Sequence, residues 1–395
     1  MSVFDEIIDR TGTGSIKLDY IKTRNKPDGV LPLWVADMDF RTPPCVISAL
    51  EERVRHGIFG YTDTGESCTD AVCGWFKRRY DRVIEPEWIV KTCGVVTALY
   101  LAVNAFTKPG DGVLIQPPVY YPFFESIRDT GRVLLKNTLV HNNGRYEIDF
   151  ADFSEKLKSA KLFILCSPHN PVGRVWSREE LEHLGDLCVK HNVTVISDEI
   201  HSDFVYPGTG LKHTVFSGIK PDFERITVTC TSPSKTFNLA GLQLANLIIP
   251  DEKLRSVFVK TCETSGFSQL SALGETACVA AYNGGEEWLT ELLAYLEDNL
   301  SFMREWLNEH IPEIAIVQPE GTYLVWLDFR KFRDRRGLTD RSLDKLILNK
   351  AKLWLEDGHI FDPGGESGSG FQRINIASPR AVIAEAMERL LTIAE

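Results

Sequence analysis

The sequence predicts an α/β protein in three layers (αβα), a mostly parallel central sheet with helices on both faces, joined to a smaller α+β part. Three observations carry this. From about residue 90 helix-like and strand-like segments alternate, the pattern of a parallel sheet whose crossovers are helices. Short apolar runs such as "VLI" and "LFIL" end in turn residues, as strands buried on both faces do. Near Asn283-Gly284-Gly285 the pattern changes to a long amphipathic helix followed by strands and helices in α+β order.

Taken in order, Val96–Phe106 reads as a helix stopped by "KPGD", and Val113–Ile115 as a strand ending at "QPPVYYP". Leu162–Leu165 and Val193–Ile196 are further strands. Between them, Ser177 with Glu180 three residues on forms a capping box before a helix. Ile226–Cys230 and Leu244–Ile249 complete the strands expected in the large sheet. Beyond the glycines come the helix Glu286–His310, the strand "TYLVWLDF", the helix "RSLDKLILNK", the strand "FQRINIA" and a closing helix with Ser378 as N-cap and Pro379 at its first position. The expected division is a large domain over 46–284 and a small domain from 1–45 with 285–395.

The chain has 395 residues, 43% hydrophobic and 25% charged, enough for two domains and a large core in a water-soluble protein. A net charge of −11 argues against nucleic-acid binding, which neutralises phosphates with Lys and Arg. No apolar run approaches the ~20 residues of a membrane span, and "MSVFDEIIDRTG" lacks the pattern of a secretion signal. Nine cysteines without a Cys-x-x-Cys pair fit buried or incidental thiols in a reducing cytoplasm. No metal site is expected, since no His-Glu-x-x-His motif occurs.

Polar residues stand at the ends of three expected strands: Asn170 in "FILCSPHNPVG", Asp198 in "VISDEIH" and Lys235 in "TCTSPSKTF". Open α/β sheets bind ligands at the carboxyl ends of their strands, so an amide, a carboxylate and an amine could meet in one crevice. Each alone has an ordinary explanation as a turn, a cap or a solvated lysine; the repetition favours a site. "GGESGSG" lacks the Lys-Ser/Thr of a phosphate loop and "GTGSIK" lacks the last glycine of a dinucleotide loop. Gly94-Val95-Val96, at a helix start, instead offers free amides and the positive end of a helix dipole to a phosphate.

"SPHNPVGRVW", "SDEIH" and "SPSKTFNLAGLQ", with "LPLWVADMDF", "FGYTD", "QPPVYYPF" and "GFQRINIASPR", resemble the fold-type I pyridoxal-phosphate enzymes of the class I/II aminotransferase superfamily. Within it the chain is most similar to the cystathionine β-lyase, or cysteine C–S lyase, subgroup. The resemblance implies that Lys235 carries pyridoxal 5'-phosphate through its amine and serves as the catalytic base. It implies that Asp198 faces the pyridine nitrogen, Asn170 donates to the ring's phenolate oxygen, and Tyr120 stacks on the ring. Ser232 and Ser234 join Gly94, Val95 and Val96 on the phosphate, and Tyr61 reaches it from a second subunit, implying a homodimer with shared sites. Arg373 takes the substrate carboxylate, with the Ala36 amide and Tyr61 near it, and Tyr121 points to the substrate in a catalytic role.

Two departures point to the C–S lyase subgroup. Gln243 stands where aminotransferases usually carry an arginine, eight residues after the lysine, and His201 stands where many carry tyrosine. His201 is grouped with the cofactor-binding residues, a packed and satisfied histidine being an equal reading. The expected reaction is β-elimination on L-cystathionine or a related L-cysteine S-conjugate in the cytoplasm, giving a thiol, pyruvate and ammonia. Transfer of the amino group to a 2-oxo acid is the alternative, and a cofactor-binding regulatory protein with little catalysis a third.

Overall fold

Seven strands build the central sheet: β1 (Ile89–Thr92), β2 (Gly112–Ile115), β3 (Val133–Lys136), β4 (Ala160–Cys166), β5 (Thr194–Asp198), β6 (Thr227–Thr231) and β7 (Ala245–Ile248). The computed structural model describes residues 2–63, 65–267 and 269–394; residues 1 and 395, the outer limits of the expected small domain, lie outside them. The spatial order is β1-β7-β6-β5-β4-β2-β3. Neighbours run parallel except β7, which is antiparallel to both β1 and β6.

The apolar run of β4 explains the layers. Leu162 and Ile164 join the core that packs Ala98, Leu99 and Ala102 of helix Val95–Phe106. Phe163 and Leu165, pointing the other way, join the core of Leu181, Leu184 and Cys188 from helix Arg178–His191. A strand covered on both faces needs apolar side chains at every position, and each fully buried one contributes about 1.5–3 kcal/mol. The capping box forms as expected: Ser177 Oγ accepts from the Glu180 amide at 3.2 Å, and Glu180 Oε2 accepts from the Ser177 amide at 2.8 Å.

Three local features differ from expectation. The helix after Gly94 starts at Val95. Neither edge strand, β1 or β3, was anticipated; β3 is exposed or half-buried throughout and β1 is half-buried over its first two residues, so no buried apolar run announces them. Ser378 gives its hydroxyl to Asp39 Oδ2 at 2.6 Å, and the last helix runs over Arg380–Ala394.

A second, antiparallel sheet takes the order Ala315–Ile316, Leu324–Asp328, Phe371–Asn375, Glu356–Asp357. Leu31–Pro32 pairs in parallel with Leu353–Trp354, and the Phe4 ring lies 5.5 Å from those of Trp288 and Tyr295. One apolar core joins Phe237, Leu244 and Ile248 to Leu289, Leu324 and Ile374, so the second sheet is packed onto the first beside its functional edge. Among the described residues no helix is long and apolar enough to cross a membrane.

Candidate active site

The carboxyl ends of β4, β5 and β6 open on a cavity of about 200 Å³. Asn170, Asp198 and Lys235 line it together with Tyr120, His201, Ser234, Ala36 and the Gly94–Thr97 turn. Parallel neighbouring strands end at the same level, so the residues just past their ends converge.

Lys235 sits on the short helix Pro233–Thr236 that follows β6. Its Nζ donates to the Ala36 carbonyl at 2.7 Å. Burial pushes its pKa down to about 8; Arg373 adds to the fall, while Asp37 and Asp198 oppose it. The amine therefore becomes neutral far more readily than an exposed lysine. Asp198, the last residue of β5, accepts from the Ile200 amide at 3.2 Å. Burial raises its pKa to about 7 despite that bond and the nearby Lys235 charge. A carboxyl held up in this way lacks a close cationic partner and would gain one from a protonated ring nitrogen.

Asn170 Oδ1 accepts from Arg373 Nη1 at 3.1 Å, leaving the Nδ2 hydrogens for an acceptor in the cavity. Tyr120 forms a wall, its hydroxyl pushed up by burial. Gly94 has φ +129° and ψ 157°, a conformation that side chains rarely adopt. It turns the chain so that helix Val95–Phe106 points its first amides, which have no intrahelical acceptor, at the cavity. An aromatic ring with a phosphate at one end and a basic nitrogen at the other fits this set of donors, carboxylate and amine.

The remaining expected residues fall into place unevenly. Ser234 lines the cavity, but Ser232 does not: its hydroxyl donates to the Leu244 carbonyl at 2.6 Å and accepts from the Ser234 amide. With its one hydrogen committed there, Ser232 caps the turn rather than donating to a phosphate. Ala36 presents its carbonyl, not its amide, to Lys235. Tyr121 lines a neighbouring groove with Glu125 and His359, its ring 5.3 Å from that of Tyr120. His201 borders the cavity with its Nδ1 unpartnered and its ring edge-on to Tyr323. Burial pushes its pKa down to about 3, so the imidazole is neutral. Tyr61 is 94% exposed and lies outside this cavity.

Arg373 is buried in the second sheet, with its neighbours in register on both sides. Its Nη2 donates to the Trp34 carbonyl at 2.8 Å and to Glu356 Oε2 at 3.0 Å, while Nε has no partner. Sequence reasoning missed Glu356 and Tyr323, whose hydroxyl donates to the same Ala36 carbonyl at 3.0 Å. Neither carries a local motif; a buried acid in register with an arginine appears only once strands are paired. Away from the cavity, Asp344, Asp357 and His359 place ligand atoms within 4.8 Å of one another. Gln372 Nε2 donates to Asp344 Oδ1 at 2.7 Å, and burial raises the pKa of both carboxyls.

Comparison with known proteins adds three findings. The profile of the aminotransferase class I and II family matches residues 28–390. Cystathionine β-lyase PatB of Bacillus subtilis is 46% identical over 98% of both chains. Two solved structures superpose closely. Cystalysin of Treponema denticola, which contains pyridoxal 5'-phosphate, has a TM-score of 0.93 and 38% identity over 99% of this chain and 98% of its own. The pyridoxal-phosphate-bound C–S lyase of Staphylococcus hominis complexed with L-cycloserine has a TM-score of 0.92 and 35% identity over the same shares.

Proposed function

The chain belongs to the class I and II aminotransferase family of pyridoxal 5'-phosphate enzymes, and we propose that it is a carbon–sulfur lyase within it. It catalyses β-elimination on L-cystathionine or related L-cysteine S-conjugates, releasing a thiol such as homocysteine, with pyruvate and ammonia. The observation that carries this reading is the 46% identity, over 98% of both chains, to a cystathionine β-lyase.

When bound, pyridoxal phosphate supplies an electron sink for charge developing at the substrate α-carbon. The chain's own residues do the rest. Lys235 holds the cofactor through Nζ, and its low-lying pKa suits it to take the α-proton as general base. Asp198 keeps a proton on the ring nitrogen. Asn170 donates through Nδ2 to the ring oxygen, Tyr120 stacks, and the amides of Val95 and Val96 with Ser234 Oγ bind the phosphate. Ser232 supports Ser234 by capping the turn. His201, at the cavity wall beside Tyr323, would lie next to the bound cofactor. Arg373 would bind the substrate carboxylate, and Tyr121, in the groove beside the cavity, would face the substrate.

The division into a large domain over 46–284 and a small domain from both ends is part of this reading. Its support is the pairing of Leu31–Pro32 with Leu353–Trp354. A homodimer is a further part: Ile58, Phe59 and Tyr61 are all exposed, as expected of a segment that a second copy covers. Nine unpaired cysteines suit the cytoplasm.

The test is to incubate the purified protein with cystathionine and no 2-oxo acid. Sustained release of pyruvate and thiol is expected. A single turnover that stalls until a 2-oxo acid is added would establish amino transfer instead.

A further inference from the structure

Behind the phosphate-binding turn lies a buried reactive cluster that the reaction does not use. Cys68, on helix Glu66–Tyr80, is 1% exposed. Lys91, on β1, is buried too and points its Nζ at Cys68 Sγ at 2.5 Å. A nitrogen and a sulfur that only touch sit farther apart than this, and the gap is one that a single oxygen atom spans. Glu275 Oε1 lies 3.5 Å from the same Nζ and has no hydrogen-bond partner. The Cys278 thiol donates to Cys68, and Asn246, opposite Lys91 in the sheet, reaches Cys278 Sγ at 3.9 Å.

We propose that Cys68 and Lys91 are a redox modification site, at which peroxide joins sulfur to the ε-nitrogen through one bridging oxygen atom.

The cluster prepares the sulfur for this. The hydrogen bond from Cys278 and the Lys91 charge bring the Cys68 pKa down to about 7 against the effect of burial. The thiolate, the form that attacks peroxide, is thereby favoured relative to an ordinary buried cysteine. Attack breaks one O–O bond, forms the S–O bond and releases water. A second peroxide removes two more electrons as the N–O bond forms. In sum, a thiol, an amine and two hydrogen peroxide molecules give S–O–NH and three waters. Sulfur and nitrogen each lose two electrons, and both peroxides are reduced. A thiol reductant reverses the bond. The link would tie helix Glu66–Tyr80 to β1, which runs directly into Gly94; Thr92 Oγ1 already bonds the Gly94 carbonyl at 3.1 Å.

The experiment treats the holoenzyme with hydrogen peroxide or with a thiol reductant, then denatures, alkylates, digests with trypsin and weighs the peptides. The expected product is one linked pair containing Cys68 and an uncut Lys91. It is heavier by one oxygen and lighter by two hydrogens than its separate halves, and it is lost on reduction. It should persist in Cys278→Ser and vanish in Lys91→Arg. The oxidised protein should also melt at a higher temperature than the reduced one. A Cys68–Cys278 disulfide, Cys68 oxidised further with Lys91 free, or Cys68 unchanged by peroxide would each overturn the proposal. All three are read on the unmutated protein.

Discussion

Lys235 Nζ donates to the carbonyl of Ala36 across 2.7 Å, joining the helix after β6 to a segment nearly two hundred residues earlier. A carbonyl acceptor holds the amine in place without supplying a full negative charge, so burial still governs its titration.

Reattachment of pyridoxal phosphate to the cofactor-free protein should therefore speed up as pH rises through about 8. Only the neutral amine attacks an aldehyde, and an ordinary lysine would shift this profile to near 10.5. Stopped-flow absorbance gives the rates. Lys235→Ala should abolish the attached-cofactor absorbance and lower turnover by about 10²–10⁴-fold, the usual share of a general base.

Asp198→Asn should keep most of the cofactor but reduce kcat on the order of a hundred- to a few thousand-fold, the cost of about 3–5 kcal/mol for breaking a buried ion pair. Stability carries a second signature. In the cofactor-free protein this carboxyl's pKa is raised from 3.8 to about 7. The folded state thus binds the proton more tightly than the unfolded chain, and this contribution is lost as pH rises towards 7. Melting of the cofactor-free protein should show that slope, and Asp198→Asn should flatten it.

Arg373→Ala should lower kcat/KM by about thirtyfold to a few thousandfold, as for truncating one side of a buried charged pair. Arg373→Lys should recover little of it, because an ammonium cannot reproduce the fork that meets Trp34, Asn170 and Glu356 at once. Glu356→Gln should keep the hydrogen bond but remove the opposing charge, changing KM more than kcat. Steady-state kinetics separates the two.

Gly94→Ala should weaken cofactor retention by about five- to a hundredfold, since a side chain at φ +129° costs roughly 1–3 kcal/mol in the turn that aims the amides. Equilibrium dialysis against pyridoxal phosphate measures it, with little change expected in the circular dichroism of the fold.

What the residues alone determined was the arrangement along the chain. Apolar runs of strand length, each ending in a polar residue, placed Asn170, Asp198 and Lys235 at one edge of a parallel sheet. That much follows from periodicity, because burial on both faces dictates composition position by position. Tertiary structure decided which way the side chains at that edge face and what meets them from afar. Ser232 and Ser234 share a motif, yet the turn commits one hydroxyl to Leu244 and leaves the other at the cavity. Glu356, Tyr323 and the Ala36 carbonyl reach the site only because the second sheet packs onto the first. Cys68 and Cys278 looked incidental until two helices and a strand brought them to Lys91. Such approaches depend on contacts between distant segments, whose geometry is set by the packing of whole layers and leaves no mark in local spacing.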